Sequence, residues 1–404
     1  MIASIDVLPT QLRLRESFAV AYGAQDTADT VLVRMGTDDG IVAWGEATPD
    51  VHVTGETYQA SIDVLREVLA PAIVGMHLGD DPADGAGVQV GTQRASERRP
   101  SEQRPSEQRC LDAIVARCDE LAWASPAARA AIDIAVHDAA AQRAGMPLWR
   151  FIEECIVAAG GIAANKDHLL ISRVVSMLDP DAMAAAAVRH VEAGFTTVKL
   201  KVGEPEDWPI DVERVAAVRR AVGPDIGIKV DANQGWRTAD VAVAAISGVG
   251  GAPGIAASGP LWVEQPVDRR DLVALADVRR RVPATAIMAD EAVCAEADVL
   301  QVVALDAADL VNLKLMKTGG LSHAIRADQI AAAAGIRTQV GTMVESSVAS
   351  AAGLAFAMAS ANVATVEMGG PLMIADDPGD LVRCYHGERV VLTDRIGLGV
   401  TMQM

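Results

Sequence analysis

Five short segments of this 404-residue chain end at residues able to do acid–base or metal chemistry. They are Val198-Lys199-Leu200-Lys201, Lys229-Val230-Asp231, Trp262-Val263-Glu264, Ile287-Met288-Ala289-Asp290 and Val311-Asn312-Leu313-Lys314. Asp231, Glu264 and Asp290 have no His or Cys beside them. Hard carboxylate oxygens of this kind suit Mg²⁺, or Mn²⁺, rather than zinc. Any one of them could cap a helix or pair with a lysine. Three at the ends of successive apolar runs point instead to a shared cation, because clustered carboxylates without one raise each other's pKa. Lys201 and Lys314 flank the acids in sequence. Lys199, two residues before Lys201, lies on the same strand face. A nearby ammonium and a divalent cation are expected to lower a lysine pKa toward the range of a general base. Salt bridges to the acids are the competing reading, and they leave the lysine on each flank unexplained. The set suits removal of the proton beside a metal-bound carboxylate of a small substrate, giving an enediolate. A base on each side lets a proton leave one face and return to the other.

The charged ends (201, 231, 264, 290, 314) are spaced by 30, 33, 26 and 24 residues. One strand, one helix and two short loops fill such an interval, which predicts βα units closing into a parallel barrel with these residues on one rim. The alternation begins at 169 and runs to 371, with a seventh strand at Thr338–Gly341 and an eighth at Val363–Glu367. Residues 1–168 lack it. There Ile5–Leu14, Asp29–Gly36 and Gly40–Ala47 read as strands and Glu16–Asp26 as a polar loop. One helix is expected from Thr54–Thr57 to Leu69, and a second from Ser125 to Gly145. This predicts an α+β domain. Residues 84–109, with Arg-Pro-Ser-Glu-Gln twice in succession, read as a disordered low-complexity insertion. Residues 372–404 are strand-and-turn in character and are expected to pack back on the first domain.

The net charge of −19 excludes a nucleic-acid surface, which needs basic patches. Five scattered cysteines without a CxxC pair fit a reducing cytoplasm better than a disulfide framework. The start Met1-Ile-Ala-Ser-Ile-Asp6 is not that of a signal peptide, and no apolar run reaches the ~18 residues of a membrane span.

These motifs resemble the enolase superfamily, in its muconate-lactonizing-enzyme subgroup. Lys199-Leu-Lys201 is similar to the KxK motif, and Asp231-Ala-Asn233, Glu264-Gln-Pro266 and Asp290-Glu291 to the metal-ligand motifs. Asn312-Leu-Lys314-Leu-Met-Lys317-Thr-Gly-Gly320 is similar to the second-lysine strand. The resemblance implies an α+β capping domain on a (β/α)₇β modified TIM barrel, Lys201 and Lys314 as the acid/base pair, and a homo-oligomer. Within the subgroup the chain looks most like dipeptide epimerases. Phe18–Asp26, Trp44–Pro49 and Val53–Glu56 resemble their specificity loops. Gly341-Thr-Met-Val-Glu-Ser-Ser347 resembles their seventh strand, which implies Glu345 and Ser346 at the substrate. Those enzymes carry Asp-x-Asp on the eighth strand for the substrate ammonium. This chain has Glu367-Met368-Gly369, so the resemblance leaves Glu367 alone for that task. A Glu there is also similar to muconate cycloisomerases. Epimerisation or racemisation of an amino-acid derivative is the leading expectation. Cycloisomerisation or dehydration with the same metal and lysines follows, and a silent binding barrel comes last.

Overall fold

The computed structural model describes residues 1–79 and 100–403. The chain opens with a three-stranded antiparallel sheet, β1 (Ile2–Val20), β2 (Gly23–Thr37) and β3 (Val42–Ala47). The expected loop at Glu16–Asp26 is instead the end of a long hairpin. After a register shift between Arg13 and Phe18, β1 and β2 pair again at Phe18–Gln25, Ala19–Ala24 and Val20–Gly23. Apolar residues at 18 and 20 keep the period of two past Glu16, so pairing continues to the turn.

Helices α1 (Tyr58–Asp63) and α2 (Ala70–Ile73) are joined through a π-helical stretch, Val64–Leu69, and carry the chain through Pro71. Helix α3 (Pro100–Ala122) buries Leu111, Ile114, Val115 and Cys118 on one face. The insertion expected over 84–109 lies outside the described residues as far as 99. From Pro100 onward it is helix rather than loop, continuous with the packed turns around Leu111 and Ile114. Helix α4 (Pro126–Arg143) is buried along almost its whole length, and α5 (Leu148–Ala158) follows it. Gly45 of β3 makes that packing possible, since a Cβ there would stand 1.8 Å from the Ala131 carbonyl oxygen.

The strand β4 (Leu169–Leu170) leads into eight parallel strands. In order around the sheet they are β5 (Arg173–Val175), β6 (Thr197–Lys201), β7 (Gly227–Asp231), β8 (Trp262–Glu264), β9 (Ile287–Ala289), β10 (Leu310–Leu313), β11 (Arg337–Val340) and β12 (Val363–Val366). A parallel bridge from Ile171 to Val366 closes the ring between β12 and β5. The outer layer comprises α6 (Pro180–Glu192), α7 (Trp208–Val222), α8 (Ala239–Ser247), α9 (Leu272–Arg281), α10 (Glu296–Leu305), the pair α11 (Leu315–Thr318) and α12 (Leu321–Ala333), and α13 (Ser347–Ala359). Among the described residues the one α-helix after β12 is the short α14 (Gly370–Met373), so the eighth strand has no full helix partner. This is the (β/α)₇β arrangement.

The last strands, β13 (Tyr385–His386) and β14 (Arg389–Val390), pair with each other, and β14 also pairs with β4. The C-terminal segment reaches the first sheet and its helices: Ala375 N–H donates to Arg13, Leu148 N–H to Gly397, and Leu398 N–H to the Asp138 carboxylate. Buried carboxylates join the layers at helix N-termini, where free N–H groups and the dipole favour an anion. Glu46 of β3 accepts from the N–H groups of Ser346 and Ala349 at the start of α13, and Asp133 of α4 from Leu321 and Ser322 at the start of α12.

Candidate active site

On β6 the side chains of Lys199 and Lys201 point into the barrel, while Val198 and Leu200 pack into the helix layer. Lys199 pairs in register with Lys229 of β7, and Lys201 with Asp231. Glu264 ends β8, Asp290 follows β9 directly, and Lys314 follows β10. The lysines therefore rise from the second and sixth of eight strands, on opposite walls, with the acids on the third, fourth and fifth between them. All five residues are buried.

The three acids fit a hard cation. One carboxylate oxygen from each of Asp231, Glu264 and Asp290 lies within 4.8 Å of the others. Oε2 of Glu264 and Oδ2 of Asp290 are buried and accept no hydrogen bond, although the ammonium groups of Lys199 and Lys314 stand 2.8 and 2.7 Å away. Lysines crowd the cage: Lys201 is 2.7 Å and Lys199 3.0 Å from Oδ2 of Asp231, and Lys317 is 2.5 Å from Oδ1 of Asp290. Burial raises the pKa of each acid, yet Lys199 and Lys201 hold Asp231 down at about 2. Glu264 is pushed up to about 8, by burial and then by the charge on Asp231. Such spreading is the mutual repulsion that a shared cation relieves. For Lys314, burial favours the neutral amine, but Asp290 and Glu291 hold its pKa above the usual lysine value.

Side chains that the sequence reading did not assign hold this cage in shape. Gln265 adopts φ +35°, accepts from the N–H groups of Asp290 and Ala292, and donates to the Val267 carbonyl. A positive φ on a non-glycine residue persists only where surrounding contacts impose it. Lys317 is fully buried and donates to both the carbonyl and the carboxylate of Asp290. Lys229, two residues before Asp231 on the same strand face, donates to Ser172, Gln339, Thr365 and Glu367 and lies over the Trp262 ring. Period-two alternation from Asp231 is the signal that would have found it.

Above the cage lies a cavity of about 360 Å³ bounded by Lys199, Lys201, Lys314 and Glu367 below, and by the β1–β2 turn and residues 49–58 above. At its mouth the rings of Tyr22 and His52 stack, with centroids 4.5 Å apart. Two expected substrate residues are not on its wall. Ser346 is the N-cap of α13: its hydroxyl accepts from the Val348 N–H and donates to Glu46, a role set by the free amides of the helix start. Glu345 is buried behind Thr342, whose hydroxyl donates to it, and burial pushes its carboxyl up to about 7. Glu367 does line the cavity, but both of its oxygens are occupied. Oε2 accepts from Lys199 at 2.7 Å, and Oε1 from Lys229 at 3.1 Å and Ser172 at 3.3 Å.

A capped (β/α)₇β barrel with acids on three consecutive strand ends and lysines on opposing walls defines an enolase-like class of protein. Comparison with known proteins agrees: residues 182–404 match the "Enolase C-terminal domain-like" family model, and residues 2–90 the "Mandelate racemase / muconate lactonizing enzyme, N-terminal domain". The chain belongs to the mandelate racemase/muconate lactonizing enzyme family. It is 33% identical over 399 residues to the N-succinyl-L-Arg/Lys racemase of Bacillus cereus, covering 99% of this chain and 95% of that protein. It is 32% identical over 387 residues to the L-Ala-D/L-Glu epimerase of Bacillus subtilis, covering 96% of this chain and 93% of that protein. Among solved structures, the Enterococcus faecalis dipeptide epimerase complexed with Mg and L-Leu-L-Tyr superposes with a TM-score of 0.81 at 30% identity, covering 99% of each chain. These relatives are racemases and epimerases, and this chain is an isomerase of that kind. A muconate lactonizing enzyme from Pseudomonas fluorescens, 23% identical with a TM-score of 0.81 and covering 99% of this chain and 96% of that one, shares the fold. Among the described residues no helix is long and apolar enough to cross a membrane.

Proposed function

We propose that the protein inverts the carbon next to the carboxylate of an N-acylated amino acid, a class that includes the C-terminal residue of a dipeptide. The observation that carries this reading is the placement of Lys201 and Lys314 on opposite barrel walls with three carboxylates between them. Asp231, Glu264 and Asp290 would hold Mg²⁺, with Mn²⁺ as a substitute. When bound, the metal supplies Lewis-acid stabilisation of the charge that builds on the substrate carboxylate. One lysine takes the α-proton from its face, and the other delivers a proton to the opposite face. Lys199 stays charged, held by burial-resistant contacts with Asp231, Glu264 and Glu367, and adds positive potential beside the reacting carbon. The cap closes the cavity and excludes water from the carbanionic species.

Racemisation is favoured over cycloisomerisation because the named relatives above 30% identity are racemases and epimerases. The test is solvent isotope exchange. With Mg²⁺ in D₂O, deuterium should enter the α-carbon of a substrate with inversion. Lys201→Ala and Lys314→Ala should each lower isomer interconversion by roughly 10²–10⁴-fold, the usual scale for a lost general acid or base. Each should retain exchange with one enantiomer only, the two variants choosing opposite enantiomers. Either variant interconverting both isomers at the parent rate refutes the two-base assignment.

A further inference from the structure

We infer that Asp211, on the outer helix α7, is a positioning residue for Lys201 and not for Lys314. Its loss should slow proton transfer on one face of the substrate and spare the other. This deepens the two-base reading above and rests on it. Lys201 closes β6, and two acceptors aim its amine: Oδ2 of Asp231 at 2.7 Å and Oδ1 of Asn233 at 3.0 Å. Asp231 is paired in register on β7. Asn233 lies past the end of that strand, where it and Gln234 have φ of +43° and +68°. Two successive non-glycine residues keep such a conformation only where their surroundings impose it.

Asp211 is fully buried, stands outside the cavity and receives four donors. Its Oδ2 accepts from the N–H groups of Gly203 (3.0 Å) and Glu204 (2.8 Å), in the turn that leaves Lys201. The same oxygen accepts from the indole N–H of Trp236 at 2.9 Å, in the turn that leaves Asn233, and Oδ1 accepts from Arg214 at 2.8 Å. One carboxylate thus ties the two turns together. They also touch backbone to backbone. The Val202 N–H donates to the Asp231 carbonyl, and a Cβ on Gly235 would stand 2.0 Å from the Gly203 carbonyl oxygen. At that contact, movement of one turn moves the other. With the carboxylate gone, both turns lose their shared anchor and the Asn233 oxygen shifts relative to the Lys201 amine. A reacting group displaced by about 1 Å can cost about 10²-fold in rate.

Lys314 has a separate hold. Its amine lies 2.7 Å from Asp290, and the turn after α11 packs on the cap helix α4, where Gly319 faces Arg129 and Gly320 faces Asp133. The donors to Asp211 all lie between residues 203 and 236, on the β6 and β7 side of the barrel. A disturbance at Asp211 therefore reaches one base and not the other.

The experiment follows α-deuteration in D₂O by NMR, starting from each pure enantiomer with Mg²⁺-loaded enzyme. The probe is the compound that the parent exchanges fastest among N-acetyl amino acids and alanyl dipeptides with acidic, basic and apolar side chains. Asp211→Ala should slow, by about tenfold or more, the enantiomer that Lys201→Ala no longer exchanges, and leave the other within about twofold. Asp211→Asn should restore most of the lost rate, since its amide oxygen can still accept from Gly203, Glu204 and Trp236. Asp211→Ala should also keep the parent's Mg²⁺-induced rise in melting temperature; loss of that rise would mean that the metal cage has moved, and the inference fails. Equal slowing of both enantiomers, slowing of the other one alone, or no slowing overturns the inference and leaves the two-base reading standing. Should Asp211→Ala not fold by circular dichroism, Trp236→Phe, which removes the indole donor alone, must show the same enantiomer bias, and an even effect overturns the inference. If Lys201→Ala and Lys314→Ala do not select opposite enantiomers, or the parent exchanges no compound of the panel, the two-base reading falls and this inference with it.

Discussion

Replacing Glu46 with Gln tests what joins the first sheet to the barrel. Glu46 is fully buried, and its carboxylate accepts from Thr30 Oγ1 (2.8 Å), Ser346 N (2.8 Å), Ser346 Oγ (2.7 Å) and Ala349 N (2.9 Å). Glutamine keeps one acceptor oxygen. Its NH₂ must face either the Ser346 amide or the Ala349 amide, donor against donor. The Ser346 hydroxyl can rotate to accept, but a backbone N–H cannot, so one buried amide goes unsatisfied at a cost of about 1–3 kcal/mol. Loss of the anion at the α13 N-terminus adds about 0.5–2 kcal/mol. Against this, burial raises the pKa of Glu46, so a neutral side chain recovers part of the desolvation cost. The net expectation is a destabilisation of about 2 kcal/mol. Urea unfolding should show it as a lower midpoint at unchanged m-value, because the area exposed on unfolding is the same. A Glu46→Gln protein within about 0.5 kcal/mol of the parent would falsify the claim that this carboxylate fastens the two layers.

Three other outcomes are expected. Gly203→Ala should cost more than about 3 kcal/mol or prevent folding, because Gly203 has φ +107° and a Cβ there would stand 2.1 Å from the Ala232 carbonyl oxygen; urea titration of the soluble fraction checks it. Asp138 is buried and its pKa is raised to about 6, chiefly by burial. The folded state thus binds the extra proton more tightly than the unfolded chain, whose Asp titrates near roughly 3.9. This group's contribution is present below that value and is lost as pH rises through about 6. Relative to Asp138→Asn, the parent should lose on the order of 2 kcal/mol between about pH 4.5 and 7.5; parallel pH profiles of the two proteins would refute this. Chelation of divalent metal should leave a folded, cooperatively melting protein, since Lys199, Lys201, Lys314 and Lys317 neutralise the acids. Mg²⁺ at a hundred times its Kd should then add about 2.7 kcal/mol. Asp290→Asn should abolish most of that gain, and an unchanged Mg²⁺-dependent melting shift would remove Asp290 from the cation site.

Much of the site was legible because parallel strands carry a positional rule: an apolar run that stops at a charge marks the active rim of a barrel. That rule placed Lys201, Asp231, Glu264, Asp290 and Lys314 together, and the structure groups them. It says nothing about a residue whose partners come from distant segments. Lys317 acts through Asp290, 27 positions away, and Glu46 through Ser346, 300 away. Ser346, expected at the substrate, shows the same limit, since its hydroxyl caps α13 and bonds Glu46. A polar residue at a strand-to-helix junction serves the helix as readily as a ligand, and the deciding partner, Glu46, is remote. Glu367 lines the cavity, but its bond to Lys229 was not readable, because Lys229 looks like one charge in an apolar strand until the barrel closes around it. The long hairpin was missed because polar residues hid its period, and α3 because its buried face (Leu111, Ile114, Val115 and Cys118) begins only after the polar repeat.

The closure of the barrel between β12 and β5 has a consequence for how such a pocket changes. Among the described residues these two strands share no continuous ladder: Ile171 bridges Val366, and the Ser172 N–H donates to the same residue. Glu367 follows directly after that seam, while Asp231, Glu264 and Asp290 stand on the wall across from it. Mutations that widen or narrow the seam can therefore retune which molecules enter, whereas recharging it at Glu367 also reaches Lys199, which is bonded to that carboxylate.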